Sequence, residues 1–174
     1  MKKFQFLLLD AGPIIKLFEL GIWDAFIERC DVTISQTVAN QAKYATQDYE
    51  DICIDLEPYK EQGLIEIVDL ELSKVKTFYD KFNLQYKAIV HPGEKESLAF
   101  LLDSSEDWKL CAADQAVFRV LGLFGKGDQG ISLEEILEQI GQSQSNLEPK
   151  YTKKFREKWT HKGKVDFVQG QGLL

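Results

Sequence analysis

Leu7-Leu8-Leu9-Asp10 is followed at once by Ala11-Gly12-Pro13, so an apolar run stops on a carboxylate just where a helix begins. Such a run reads as a buried strand, and its last residue stands at the carboxyl edge, where open α/β sheets place their ligands. The pattern recurs at Leu110-Cys111-Ala112-Ala113-Asp114, ahead of a second helical stretch. Between the two, Pro92-Gly93-Glu94-Lys95-Glu96-Ser97 opens a helix with two glutamates in its first turn and Pro92 near the favoured first-turn position. Three acidic points at turn positions, far apart in the chain, are the pattern of a divalent-cation site before folding gathers it.

Outward from these points the chain alternates short apolar runs with amphipathic stretches, which predicts an α/β fold with a mostly parallel sheet covered by helices. Strands are expected over 4–10, 31–35, 64–70 and 109–113. Helices are expected over 14–18 and 22–27 with a break at Gly21, from 38 past 59 as one long element bent or ended by Pro58, and over 73–82. Further helices are expected over 94–102, 116–121 and 132–140, the last with Ser132 and Glu135 at capping-box spacing. The stretch 83–90 is a connection of no assigned form.

The 174 residues, 44% hydrophobic, suit one domain over 1–141, followed by a polar linker and basic tail over 142–174. No apolar run has the length of a membrane span, and the stretch after Lys2-Lys3 is too short for a signal-peptide core, so a cytoplasmic protein without membrane partners is expected. Cys30, Cys53 and Cys111 fit reduced thiols better than a disulfide framework, and with His91 and His161 they do not make a structural zinc site. The formal charge is −7, yet the stretch from Leu147 onward carries seven basic and three acidic residues, which leaves −11 for the first 146. Two readings of this asymmetry stand: the tail docks on its own acidic body, or Lys153, Lys154, Arg156 and Lys158 bind an anionic substrate.

Each acid also has an ordinary explanation. Asp10 and Asp114 can serve as helix N-caps, and Glu94 and Glu96 suit the positive end of a helix. Two residues apart on a helix, those glutamates do not share a face, so only one should look into the crevice. The small and apolar Ser97-Leu98-Ala99 that follow favour Glu96 as the inward one. His91 reads as a loop or capping residue, and the glycines between 122 and 130 lack the context of a dinucleotide or P-loop motif.

Taken in order, Leu9-Asp10-Ala11-Gly12-Pro13-Ile14-Ile15-Lys16-Leu17, Gly93-Glu94-Lys95-Glu96-Ser97-Leu98-Ala99 and Ala113-Asp114-Gln115-Ala116-Val117-Phe118-Arg119 resemble the PIN domain family, in particular its VapC-like branch with a Gly-Glu-x-Glu motif. The resemblance covers roughly 4–140. It implies a three-layer α/β/α sandwich with a central, mostly parallel sheet, and a Mg²⁺- or Mn²⁺-dependent nuclease, most often an endoribonuclease acting on RNA. It further implies the toxin half of a toxin–antitoxin pair, with an antitoxin protein as partner and a homodimeric state. By motif position Asp10, Glu96 and Asp114 would be the catalytic metal ligands, with Glu94 and Asp128 as secondary candidates. The family's acid on the helix after the second strand is matched here by Thr37-Val38-Ala39-Asn40-Gln41-Ala42, which offers amides. The alternative is therefore a catalytically depleted module of the same fold that binds a protein or RNA partner. A phosphatase with an aspartyl nucleophile would want an aspartate where Gly12 stands.

Overall fold

The first apolar run becomes the middle of a sheet in the computed structural model, which describes residues 2–174. The strands are β1 (Phe4–Leu9), β2 (Cys30–Ser35), β3 (Tyr44–Gln47), β4 (Glu50–Cys53), β5 (Ile65–Val68), β6 (Lys109–Cys111) and β7 (Gly130–Ile131). Five of them form one sheet in the order β5-β2-β1-β6-β7, with every neighbour parallel. The helices are α1 (Ala11–Glu19), α2 (Trp23–Arg29), α3 (Gln36–Gln41), α4 (Glu57–Glu61), α5 (Leu72–Tyr79), α6 (Leu84–Ile89), α7 (Pro92–Asp103), α8 (Gln115–Leu123), α9 (Leu133–Gln139) and α10 (Lys153–Val168).

Successive side chains on a strand point to opposite faces, and the two cores follow that period. Leu7, Leu9 and Cys111 pack in one cluster with Ile14 and Leu17 of α1, Phe26 of α2, Val38 of α3 and Ile136 of α9. Leu8, Leu110 and Ala112 pack in the other with Phe78 of α5, Tyr86 of α6, Leu98 of α7 and Phe118 of α8. The result is a three-layer α/β/α sandwich around a parallel sheet, as the alternation of elements requires.

The long helix expected from residue 38 is replaced by α3, the antiparallel hairpin β3–β4 and α4. Gln47 pairs with Glu50 across a two-residue turn in which Asp48 (φ 51°) and Tyr49 (φ 66°) are both left-handed. This is a primed turn whose usual Asn-Gly or Asp-Gly signature is absent. The stretch 83–90 forms α6, with the Asn83 side chain accepting from the Tyr86 N–H.

In the C-terminal stretch, 142–148 holds no helix or strand, as a linker would, while α10 is packed into the sandwich, as the docked reading of the tail expects. α10 lies along α8 so closely that a Cβ on Gly122 would collide with the Thr160 carbonyl, and one on Gly163 with the Arg119 carbonyl. Phe155 and Trp159 of α10 join the apolar cluster on that side of the sheet. Asp166, fully buried, accepts hydrogen bonds from the Tyr86 hydroxyl (2.6 Å), Arg119 Nε (2.7 Å) and Lys162 Nζ (2.8 Å). Among the described residues, no helix is long and apolar enough to cross a membrane.

Candidate functional site

Parallel pairing of β1 with β6 sets Leu9 opposite Cys111, so the chain leaves both strands on the same edge of the sheet. The Asp10 N–H donates to the Cys111 carbonyl (2.9 Å), which continues the ladder one residue past the strand. Asp114 caps α8, accepting from the Ala116 N–H at 2.7 Å through one oxygen. Asp10 occupies the same position ahead of α1, yet its carboxylate takes no capping hydrogen bond and is only 8% exposed. The ordinary N-cap explanation thus holds for Asp114 and fails for Asp10.

The third acid arrives on α7. His91 precedes the helix, Pro92 fills its first turn, and Glu94 folds back so that Oε2 accepts from the His91 N–H (2.8 Å) while Oε1 lies 3.5 Å from His91 Nδ1. Ligand atoms of His91, Glu94 and Asp114 all lie within 4.8 Å of one another. Together with Asp10, Gln41 and Lys150 these side chains line a cleft of about 380 Å³. Gly93 lies close under α3: a Cβ there would stand 2.5 Å from Gln41 Oε1, so the exposed glutamine side chain would have to turn away.

Burial is the main force on the acids. It lifts the Asp10 pKa to about 6, helped by the nearby Asp114 charge and opposed by the Ala11 N–H and His91. It lifts Glu94 to about 7, with the Asp114 and Asp10 charges adding to it and the His91 N–H working against it. Two crowded carboxyl groups that resist ionisation alone are what a bound cation would relieve. The oxygen donors, three carboxylates and one amide, fit a hard divalent ion, and the imidazole adds one nitrogen donor beside them.

Asp10 and Asp114 stand together where the sequence puts them, but Glu96 does not join them. Its buried carboxylate accepts from the Thr37 N–H through Oε2 and the Leu70 N–H through Oε1, both at 3.1 Å. At 100° per residue, Glu94 and Glu96 point about 200° apart, and Glu94 holds the cleft side. Small residues after Glu96 mark a tightly packed helix start and carry no information about which glutamate faces the cleft. Asp128 stands before β7, at the amino edge of the sheet, where Lys109 Nζ from the start of β6 donates to its carbonyl. In an all-parallel sheet that is the edge opposite Asp10, so Asp128 is not a cleft residue.

The tail cations lie on the first turns of α10 and are in part committed to the protein itself. Arg156 makes a two-pronged pair with Glu135, Lys153 sits 3.8 Å from Glu157, and Lys158 lies over the Trp159 ring; Lys154 is exposed. Sequence reasoning missed Lys150, the basic residue that does line the cleft. Tyr151, buried beside it, donates its hydroxyl to the Gly12 carbonyl (3.3 Å) and ties this segment across the start of α1. His91, read from the sequence as a loop or capping residue, does stand at the N-cap of α7, and its ring also reaches the cleft beside Glu94.

Compared with protein-family models, curated proteins and solved structures, the chain matches none.

Proposed function

We propose that this protein is a Mg²⁺- or Mn²⁺-dependent endoribonuclease of the PIN type, with Asp10, Glu94 and Asp114 as its metal carboxylates. The observation that carries this reading is Asp10: a buried carboxylate at a helix start that does not cap the helix and instead lines a cleft with two other acids. A bound divalent ion would supply Lewis-acid activation of water and neutralise charge on the scissile phosphate. The chain's own residues do the rest. Asp10 and Asp114 are held by the β1–β6 register, Glu94 by its bond to the His91 N–H, and Lys150 places a positive charge at the cleft for a phosphate oxygen. Substituting Asp10→Asn or Asp114→Asn is expected to abolish RNA cleavage while leaving a folded protein, as read by gel assay and thermal melting. Undiminished cleavage in either variant overturns the assignment.

A second reading is a non-catalytic module of the same fold that docks RNA or a protein. It draws support from Gln41, which lines the cleft with a neutral amide, and from Lys150, which can serve as the acids' own counter-ion. Calorimetry separates the two. Absence of Mn²⁺ binding at millimolar concentration supports the module, and uptake that is lost in Asp114→Asn supports the nuclease.

A further inference from the structure

The proposed nuclease site is not built from oxygen alone. His91 stands immediately before α7, its side chain 65% exposed, with Nδ1 3.5 Å from Glu94 Oε1. A ring nitrogen, a Glu94 oxygen and an Asp114 oxygen fall within one 4.8 Å set. The Glu94 carboxylate is itself fastened by the His91 N–H at 2.8 Å, so residue 91 both aims one ligand and offers another. Asp10 adds a second pointer to a ligand: it is more than nine-tenths buried, lines the same cleft, and meets the adjacent Ala11 N–H without capping the helix.

Resting on the metal-site reading above, we propose that His91 is a nitrogen ligand that makes this site select Mn²⁺ over Mg²⁺. Mg²⁺ is small and hard, keeps most of its waters and seeks carboxylate and phosphate oxygen. Imidazole is a borderline donor that the later first-row ions take best, but Mn²⁺ still accepts nitrogen more readily than Mg²⁺, so a mixed nitrogen and oxygen set favours Mn²⁺ of the two. Gln41 points the same way: a neutral amide in the cleft holds down the negative charge on which a hard ion depends most. The ring is open to solvent on one side, so it can turn to meet an ion without disturbing the core.

His91→Asn is the informative variant. Asparagine is a good N-cap, keeps the backbone N–H that holds Glu94, and presents an amide oxygen near where Nδ1 stood. Titration calorimetry with MnCl₂ and with MgCl₂, without RNA, would be run on the unaltered chain, His91→Asn, His91→Ala and Asp114→Asn. The unaltered chain is expected to bind Mn²⁺ about tenfold or more tightly than Mg²⁺. Both His91 variants should lose roughly tenfold in Mn²⁺ affinity with Mg²⁺ affinity changed less than about twofold. Manganese electron paramagnetic resonance gives a second readout, because a nitrogen ligand leaves ¹⁴N modulation that either substitution should remove. Equal losses for both ions, or unchanged Mn²⁺ affinity with no ¹⁴N signal, overturn the role of His91. In that case Asp114→Asn still abolishing uptake leaves the carboxylate site standing. Failure of the unaltered chain to bind either ion overturns both readings together.

Discussion

Glu94 and Glu96 show how one turn of helix divides two carboxylates between different tasks. Glu96 satisfies two backbone N–H groups, at Thr37 and Leu70, where the chain leaves β2 and β5. Glu96→Ala strands both part-buried donors and is expected to cost about 2–4 kcal/mol of stability, measured by urea unfolding, while Mn²⁺ uptake by the surviving folded protein persists. Glu94→Gln and Asp10→Asn should do the reverse. With folded pKa values of about 7 and about 6, above the ordinary 4.5 and 3.8, these acids contribute stability at low pH that is lost as pH rises through roughly 4 to 7. Neutral replacements are therefore expected to raise the metal-free Tm at pH 7.5 by roughly 2–4 °C and to remove its response to Mn²⁺. The sequence made Asp10 and Asp114 visible because each follows an apolar strand. Periodicity left the two glutamates tied, His91 was legible as a capping residue through its local spacing to Glu94, and Lys150 was hidden because its place in the cleft depends on tertiary contacts.

At the scale of elements, α10 is fastened to α8 by shape and by charge. Gly122 and Gly163 let the two backbones meet, so Gly163→Ala is expected to destabilise the protein by about 3 kcal/mol through overpacking. Burial opposes the charge on Asp166, yet the bonds from Lys162, Tyr86 and Arg119 prevail and hold its pKa at about 2. A depressed folded pKa means stability that is present above about pH 4 and lost as pH falls toward 2. Asp166→Asn should cost about 3 kcal/mol at pH 7, because Arg119 is left without its partner, and the gap from the unaltered chain should narrow steadily in melts taken from pH 4 to pH 2. Docking of this stretch on its own acidic body was one of the two readings the sequence offered, but the contacts that achieve it were not legible. Lysines and glutamines dominated the reading of the stretch, and Gly163 gave no hint that it met another helix. The hairpin β3–β4 was missed for a related reason: Asp48-Tyr49 adopts a turn that the side chains do not advertise.

Across the whole molecule, the segment from Leu147 onward supplies +4 against −11 for the rest, and ion pairs of both senses join the two, Arg156 of the segment to Glu135 and Glu148 of the segment to Lys16. Truncation after Asn146 is thus expected to bare the apolar side of α8 and yield an aggregating chain without a cooperative melt. A soluble truncation with an unchanged Tm would show the segment to be an appendage. The parallel sheet itself was predictable, since strands that are buried on both faces read as continuous apolar runs. Its strand order was not, because neighbours in a crossover fold are far apart in the chain. That order has a consequence for biogenesis. Leu7 is flanked on one side by Val32 and on the other by Lys109, so half of the first strand made waits, unpaired, while most of the chain is synthesised. Such long-range closure slows folding, and it means that Asp10 meets Asp114 only in the step that docks β6: a ribosome-bound intermediate carries the first acid but has no pocket in which to use it.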